Sequence, residues 1–173
     1  YAWEDEPVAL VDLTTSVLPP GILPALTDPE VIKCAYNANF ERTCLARWLG
    51  VPMPPEQWRG TMIHAATLGL PRSLADVGAA LRLAKDEQKL KEGADLIRYF
   101  CRPCKPSKAN GGRTWNLPRH APDKWEAFKA YCIRDVETER AIRHRLEGLP
   151  VRPQEQEGWE LDQRINDRGI RVD

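Results

Sequence analysis

The sequence of 173 residues is 42% apolar and carries 25 basic and 25 acidic side chains, so its formal net charge is zero. This composition predicts one soluble globular domain with its own core and room for a piece of a second. We expect no membrane span and no signal peptide, and five cysteines suit a reducing compartment such as the cytoplasm, whereas zero net charge does not exclude a nucleic acid partner.

The strands are predicted near the N-terminus. The chain opens on the apolar residues 1–3, and an acidic turn separates them from a strand-like run at 8–13, which predicts a hairpin. An aromatic first residue is unusual for a frayed terminus, so we interpret the sequence as a piece cut inside a strand. A short helix is expected at 19–26 and a short apolar strand at 31–35.

A helix is predicted directly after the second of these strands. Asn37 or Asn39 can cap it, and Gly50 ends it. Three residues recur at four-residue spacing and predict the face turned to the core: Phe40, Cys44 and Trp48.

Helices dominate the rest of the chain. Helical patterns lie at 61–68, after a Ser73 cap, at 90–100, from Asp123 to about Gly148, and in a last segment that Gly169 ends. On these elements Cys34, Cys44 and Cys132 fall on predicted core faces, and Glu137 and Glu139 are expected to be exposed. Early strands followed by helices favour an α/β fold with a sheet edge near the N-terminus.

A basic stretch runs from Leu96 to Pro122 without any acidic residue. It includes a tryptophan, Trp115, and the cations that are candidate contacts to a DNA strand: Arg102, Lys105, Lys108 and Arg113. Cations for phosphates and a ring for a base are typical of a single-strand binding groove. A solvated loop whose tryptophan packs inward explains the same residues equally well.

The pair Cys101-x-x-Cys104 has the spacing of a zinc knuckle. No second pair of cysteines or histidines completes four ligands, so the sequence favours a reduced pair in a loop.

Two motifs can hold a metal ion together. The first is Asn37-x-x-Phe40-Glu41, and the second is Tyr131-x-x-x-Asp135, whose members lie one helical turn apart on one face. Each alone is explained by ordinary structure, since asparagine caps helices and a helical tyrosine is often packing. Carboxylates on two helices also suit Mg²⁺, and two such ions about 4 Å apart can hydrolyse a phosphodiester.

The order of these motifs resembles the second and third motifs of the DEDDy-type 3′–5′ exonucleases, which have a ribonuclease H-like fold. The blocks AYNANFERTCLARWLG, LGLPRSLADVGAALRL, LIRYFCRPCKP, YCIRDVETERAI and WELDQRINDRGIRVD are similar to consecutive blocks of phage-type family A DNA polymerases. In that family the last block lies where the proofreading domain meets the polymerase domain. The resemblance covers nearly the whole chain.

The resemblance implies a role for five residues. Glu41 and Asp135 would be metal ligands, Tyr131 would orient the attacking water, and Asn37 and Phe40 would line the 3′ end of single-stranded DNA. The cofactor would be Mg²⁺ or Mn²⁺, with two ions in the intact parent. The polymerase domain of the parent chain would be a partner, and the sequence gives no oligomeric state.

The sequence departs from the family pattern at three places. The first motif, Asp-x-Glu, is absent: Asp12 in LVDLTT is the only early candidate, so the motif is expected upstream of Tyr1. A two-metal site without these two carboxylates should hold metal poorly, so the resemblance implies activity of the parent rather than of this piece alone. Glu41 replaces the commoner Asp, and Tyr36 and Gly60 stand where relatives often have His and Asp.

The resemblance therefore predicts an α/β, ribonuclease H-like fold with a mixed sheet flanked by helices and without its first strand. Residues 1–150 would form the exonuclease domain and 151–173 the linker and start of the polymerase domain. The missing strand would leave an exposed sheet edge or groove. Two alternatives stay open: a stand-alone DEDDy ribonuclease, and a catalytically silent module that holds DNA.

Overall fold

The computed structural model describes residues 1–84, 93–169 and 171 of the chain. They belong to two compact units, one of Tyr1–Leu10 with Ala84–Thr138 and one of Val11–Leu83 with Glu139–Asp173. Most of the described residues are helical and a small sheet accompanies them, which confirms the α/β class. Within the described part, every helix is too short or too polar to span a lipid bilayer.

Seven α-helices and two strands follow one another along the described chain: α1 (Ile22–Thr27), β1 (Lys33–Ala35), α2 (Ala38–Leu49), β2 (Trp58–Gly60), α3 (Thr61–Thr67), α4 (Leu74–Ala80), α5 (Gly93–Cys101), α6 (Pro122–Leu146) and α7 (Pro153–Arg168). Single 3-10 turns lie at Pro55–Gln57 and Pro118–His120. The predicted helices are confirmed, although the beginning of the one expected at 90–100 falls outside the described residues.

The sheet consists of β1 and β2, which pair in parallel with Lys33 opposite Trp58 and Ala35 opposite Gly60. The sequence predicted β1 but not β2, since three residues between a 3-10 turn and a helix give no periodic signal. In the part of the chain that the structure describes, the expected mixed sheet is therefore limited to two parallel strands.

Residues 8–13 do not form the predicted strand. Tyr1 and Ala9 exchange two backbone hydrogen bonds, from the Tyr1 ammonium to the Ala9 carbonyl at 2.9 Å and from the Ala9 amide back at 2.8 Å. Three residues later the Asp12 carboxylate accepts the amide of Thr14 at 3.0 Å and turns the chain. A single residue pair thus closes the hairpin, and an Asx turn prevents a longer ladder.

Helix ends follow local chemistry. The Ser73 hydroxyl accepts the Asp76 amide at 3.1 Å and caps α4 as predicted. Gly50 ends α2 with φ of +67°, a left-handed conformation that glycine adopts without steric cost.

The second unit has two apolar clusters. The larger one joins α3, α4 and the end of α6: Ala65, Leu74, Val77, Leu83, Ile142 and Leu146. The smaller one, formed by Ala38, Met53 and Trp58, lies beneath the start of α2 and beside β2. The smaller cluster anchors α2, on which the predicted site residues of this unit stand.

The first unit is held by a row of aromatic rings along α5 and α6. Phe100 contacts Trp125 edge-on with centroids 5.0 Å apart and stacks on Phe128 at 5.6 Å. Phe128 in turn stacks on Tyr131 at 6.2 Å. The row ends on one of the predicted site residues.

Two predictions about burial were wrong. Cys34 and Cys44 are exposed and Cys132 is half-buried, so the cysteines do not mark core faces. Glu139, expected on the surface, is only 8% exposed, because its carboxylate is hydrogen-bonded to the Thr61 hydroxyl at the start of α3.

Candidate functional site

Glu41 lies in the first turn of α2, the helix that follows strand β1 in the chain. The strand β1 ends at Ala35, and α2 begins three residues later with Ala38, which is 2% exposed in the smaller apolar cluster. Anchoring this first residue sets the direction in which the helix leaves the strand. Glu41 is half-buried, and its Oε2 atom is shielded from solvent.

Asn37 and Phe40 flank Glu41 on the solvent side. Asn37 occupies the N-cap position of α2, but its side chain makes no capping hydrogen bond and is exposed. Phe40 is 62% exposed. Both side chains are therefore accessible to a ligand.

The predicted core face of α2 is wrong. Phe40, Cys44 and Trp48 are all exposed, and the tryptophan is 54% exposed. The buried residues of α2 are Ala38 and Arg42, because Arg42 forms an ion pair with the distant helix α7. The helix turns a small residue and a paired cation inward and leaves its aromatic side chains in solvent.

Tyr131 and Asp135 stand one turn apart on α6, as predicted. The tyrosine is 5% exposed and donates a hydrogen bond to the aspartate. Burial, and next this hydrogen bond, raise the pKa of Tyr131 well above its ordinary value. The phenol is therefore protonated at neutral pH and acts as a hydrogen-bond donor. The Oδ1 atom of Asp135 is shielded from solvent.

Gly93, the first residue of α5, determines where the Tyr131 ring can lie. A Cβ atom at Gly93 would lie 1.9 Å from Cε2 of Tyr131 and 2.5 Å from its Cδ2 and Cζ atoms. The ring thus packs directly on the glycine backbone. Sequence reasoning missed this residue, since a glycine before an apolar run gives no sign of what it contacts.

The cationic side chains of the basic loop between α5 and α6 are of two kinds, exposed and half-buried. Arg102, Lys105 and Lys108 are exposed. Arg113 is half-buried, and its guanidinium donates to the Asn116 side chain at 2.9 Å and to the Asn110 carbonyl at 3.1 Å. These bonds hold the loop together, so Arg113 serves its conformation.

Trp115 and the cysteine pair complete the description of this loop. Trp115 is 46% exposed, which favours neither the fully inward ring nor a fully exposed platform. The Cys104 thiol donates to the Arg113 carbonyl at 3.4 Å, and both Cys101 and Cys104 are free thiols. This hydrogen bond gives the Cys104 thiol a structural role in the loop.

Tyr36, at the position where the resemblance to the exonucleases implies a histidine, has a structural role. Its hydroxyl donates to the Arg72 carbonyl at 2.9 Å, and burial, with Asp76 as a smaller cause, raises its pKa to about 12. At Gly60 a Cβ would meet Ile63 at 3.5 Å, an ordinary contact, so the position has room for a first side-chain atom.

The two carboxylates of the candidate site are the kind of ligand that a hard cation prefers, but they are too few to hold one alone. Glu41 and Asp135 offer carboxylate oxygens, which Mg²⁺ and Mn²⁺ prefer. Among residues 1–84, 93–169 and 171, however, no group of three or more metal-ligating side chains is assembled. Glu41 belongs to the second unit and Asp135 to the first, so their convergence stays a prediction.

The chain is similar to a protein named DNA polymerase from Bacillus phage SP02. The two are 55% identical over 174 aligned positions, which take in the whole chain and 26% of that polymerase. The chain thus spans about a quarter of the relative's length. No family model matches the chain, and no solved structure matches it. The likeness supports a piece of a DNA polymerase, because the identity extends over the whole chain.

Proposed function

We propose that the chain is the 3′–5′ proofreading exonuclease part of a phage-type family A DNA polymerase, with a ribonuclease H-like fold. The observation that carries the proposal is the hydrogen bond from the buried Tyr131 to Asp135 on α6, in a chain 55% identical to a phage DNA polymerase. The reaction is hydrolysis of the 3′-terminal phosphodiester of single-stranded DNA, which releases a nucleoside monophosphate.

Glu41 and Asp135 would hold Mg²⁺ or Mn²⁺. When bound, the ions would lower the pKa of a water and stabilise the leaving oxygen. Two carboxylates are too few ligands for such an ion, so water and the scissile phosphate would have to supply the others. One carboxylate oxygen of each residue is shielded from solvent. Such an oxygen would attract a cation more strongly than an exposed one, because water screens charge interactions more than a partly dry site does.

Tyr131 positions the nucleophile without removing its proton. Because its own proton is bound by Asp135, the phenol oxygen keeps lone pairs that can accept a hydrogen bond from the attacking water. The raised pKa excludes a phenolate at neutral pH, so the residue orients and does not act as a general base.

The exposed side chains next to Glu41 would bind the 3′ end of the strand. The Phe40 ring can stack on a terminal base, and the Asn37 amide can hydrogen-bond to the sugar or base. Arg102, Lys105 and Lys108 are exposed and can contact phosphates farther along the strand.

The test is shortening of a 5′-labelled single-stranded DNA by this chain in Mn²⁺ or Mg²⁺. Asp135→Ala should slow it by at least about 100-fold, since a metal ligand supplies several kcal/mol of transition-state stabilisation. Asp123→Ala removes an exposed carboxylate from the first turn of the same helix and should leave the rate unchanged. Measurable shortening at the same rate by the wild type and Asp135→Ala would contradict the proposal.

One observation favours a second candidate, a catalytically silent DNA-holding module. It is that Gly60 offers no carboxylate where the resemblance to the exonucleases implies an aspartate, and that Glu41 replaces the commoner Asp. Binding of the labelled strand without shortening, unaffected by EDTA and by Asp135→Ala, would support this alternative. A matching RNA strand in the same assay tests the stand-alone ribonuclease, which should shorten RNA faster than DNA.

A further inference from the structure

An ion pair inside the second unit joins the first turn of α2 to α7. The Arg42 guanidinium donates to Oδ1 of Asp167 at 2.7 Å and to Oδ2 at 2.8 Å, and it also donates to the Met53 carbonyl at 3.1 Å. Its side chain is 4% exposed, whereas that of Asp167 is 46% exposed. Two parallel bonds between planar groups fix orientation as well as distance.

The geometry makes Arg42 dependent on its partner. The guanidinium is desolvated, and its Nε atom is buried without a hydrogen bond among the described residues. A buried cation of this kind is tolerated only when a carboxylate compensates it. The hydrogen bond from Arg42 lowers the pKa of Asp167, so the aspartate is ionised at neutral pH.

We propose that Asp167, acting through Arg42, is a positioning residue for Glu41. Glu41 directly precedes Arg42 in the first turn of α2, so anchoring Arg42 at three points fixes the rotation of that turn and the direction of the Glu41 carboxylate. Metal ligands need placement to within about 0.5 Å, which partners in the next shell provide. The inference rests on the proposed function.

Helix α7 therefore contributes to the candidate site, although the sequence places residues 151–173 after the exonuclease domain. Two further contacts hold α7 on this unit. Arg164 forms an ion pair with Glu56, and the Gln156 side chain donates to the Trp58 carbonyl at 3.2 Å. The partner of Arg164 lies outside α2, and both side chains of its ion pair are about half exposed, so it provides a matched control.

The test is Mn²⁺ binding by the whole chain, measured by the loss of the free-ion EPR signal. Glu41→Gln defines the effect of removing the ligand. Asp167→Asn should weaken Mn²⁺ binding by about 10-fold, as loss of an outer-shell partner does. Asp167→Glu should recover part of the affinity, and Arg164→Ala should bind like the wild type.

Near-UV circular dichroism on the same samples shows whether each variant is folded at the assay temperature. Because Asp167→Asn leaves a buried cation unpaired, the double variant Arg42→Met with Asp167→Leu removes both charges and should show the same loss of affinity in a folded chain. Wild-type affinity in folded Asp167→Asn, with reduced affinity in Glu41→Gln, overturns the positioning role alone. Unchanged affinity in Glu41→Gln overturns the metal site as well.

Discussion

Replacing Gly93 with alanine tests the packing that places the Tyr131 ring. The new Cβ would lie 1.9 Å from Cε2 of Tyr131, whereas two carbon atoms in contact are about 3.5 Å apart. The ring or the start of α5 must therefore move by about 1.6 Å. Such a movement would disturb the hydrogen bond from Tyr131 to Asp135.

The expected loss of unfolding free energy depends on how far the Tyr131 ring can move. Tyr131 is 5% exposed and stacks on Phe128 with centroids 6.2 Å apart, so it has no solvent side toward which to turn. Overpacking of this kind costs about 1–3 kcal/mol of unfolding free energy. Replacing glycine with alanine in a helix otherwise gains about 0.5–1 kcal/mol, so a net loss reflects the clash.

Urea unfolding followed by far-UV circular dichroism measures the difference. Gly158→Ala is the matched control, since Gly158 lies inside α7 with nothing within 4 Å of its added Cβ, and it should stabilise the chain. Removing the ring with Tyr131→Ala should make Gly93→Ala nearly neutral. If Gly93→Ala is as stable as the wild type, or equally costly without the ring, the packing argument is wrong.

Three further predictions concern other residues. Burial raises the pKa of Glu139 in the folded chain above 4.5. The unfolding free energy should therefore decline as pH rises from the unfolded pKa to the folded one. Urea titrations at successive pH values should show this slope, and Glu139→Gln, which keeps a hydrogen-bond partner for Thr61, should remove it. Ser73→Ala should lose about 1 kcal/mol of unfolding free energy with the α4 cap, and Ser73→Thr should retain most of it. In anisotropy measurements of single-stranded DNA binding against salt, Lys108→Ala should lower the slope by about 0.7, whereas Arg113→Ala should not.

The sequence predicted helix ends well because their chemistry is local. Ser73 caps α4 through an amide three residues away, and Gly50 ends α2 through its own φ angle. The spacing of Tyr131 and Asp135 likewise fixes their neighbourhood once α6 is helical. Each of these features needs only a few consecutive residues.

The features that sequence reasoning missed depend on distant partners. The strand β2 exists because three residues pair with β1, 25 residues earlier in register. Glu139 is buried where its carboxylate accepts a hydrogen bond from the hydroxyl of Thr61, 78 residues away in the sequence. Gly93 matters only because a ring from α6 lies against it. None of these contacts leaves a periodic trace.

On α2 a readable signal was present but was assigned to the wrong face. Ala38, Arg42 and Leu49 follow helical spacing as well as the aromatic residues do, and a buried arginine conceals that pattern. Its partner, Asp167, is 125 residues away. Apolar periodicity alone therefore favoured the face of Phe40 as the buried one, because its side chain is larger and more apolar than those of Ala38 and Arg42.

This disagreement between pattern and structure bears on the proposed site. A Phe40 ring packed inward could not stack on a base, whereas a ring that is 62% exposed beside Glu41 can. Natural sequences depart from local rules mainly where function requires it, and large exposed aromatic side chains often mark binding surfaces. The inward face of α2, held by Arg42 and Asp167, orients the helix, and its outward aromatic face stays exposed, as the proposed binding of a strand end requires.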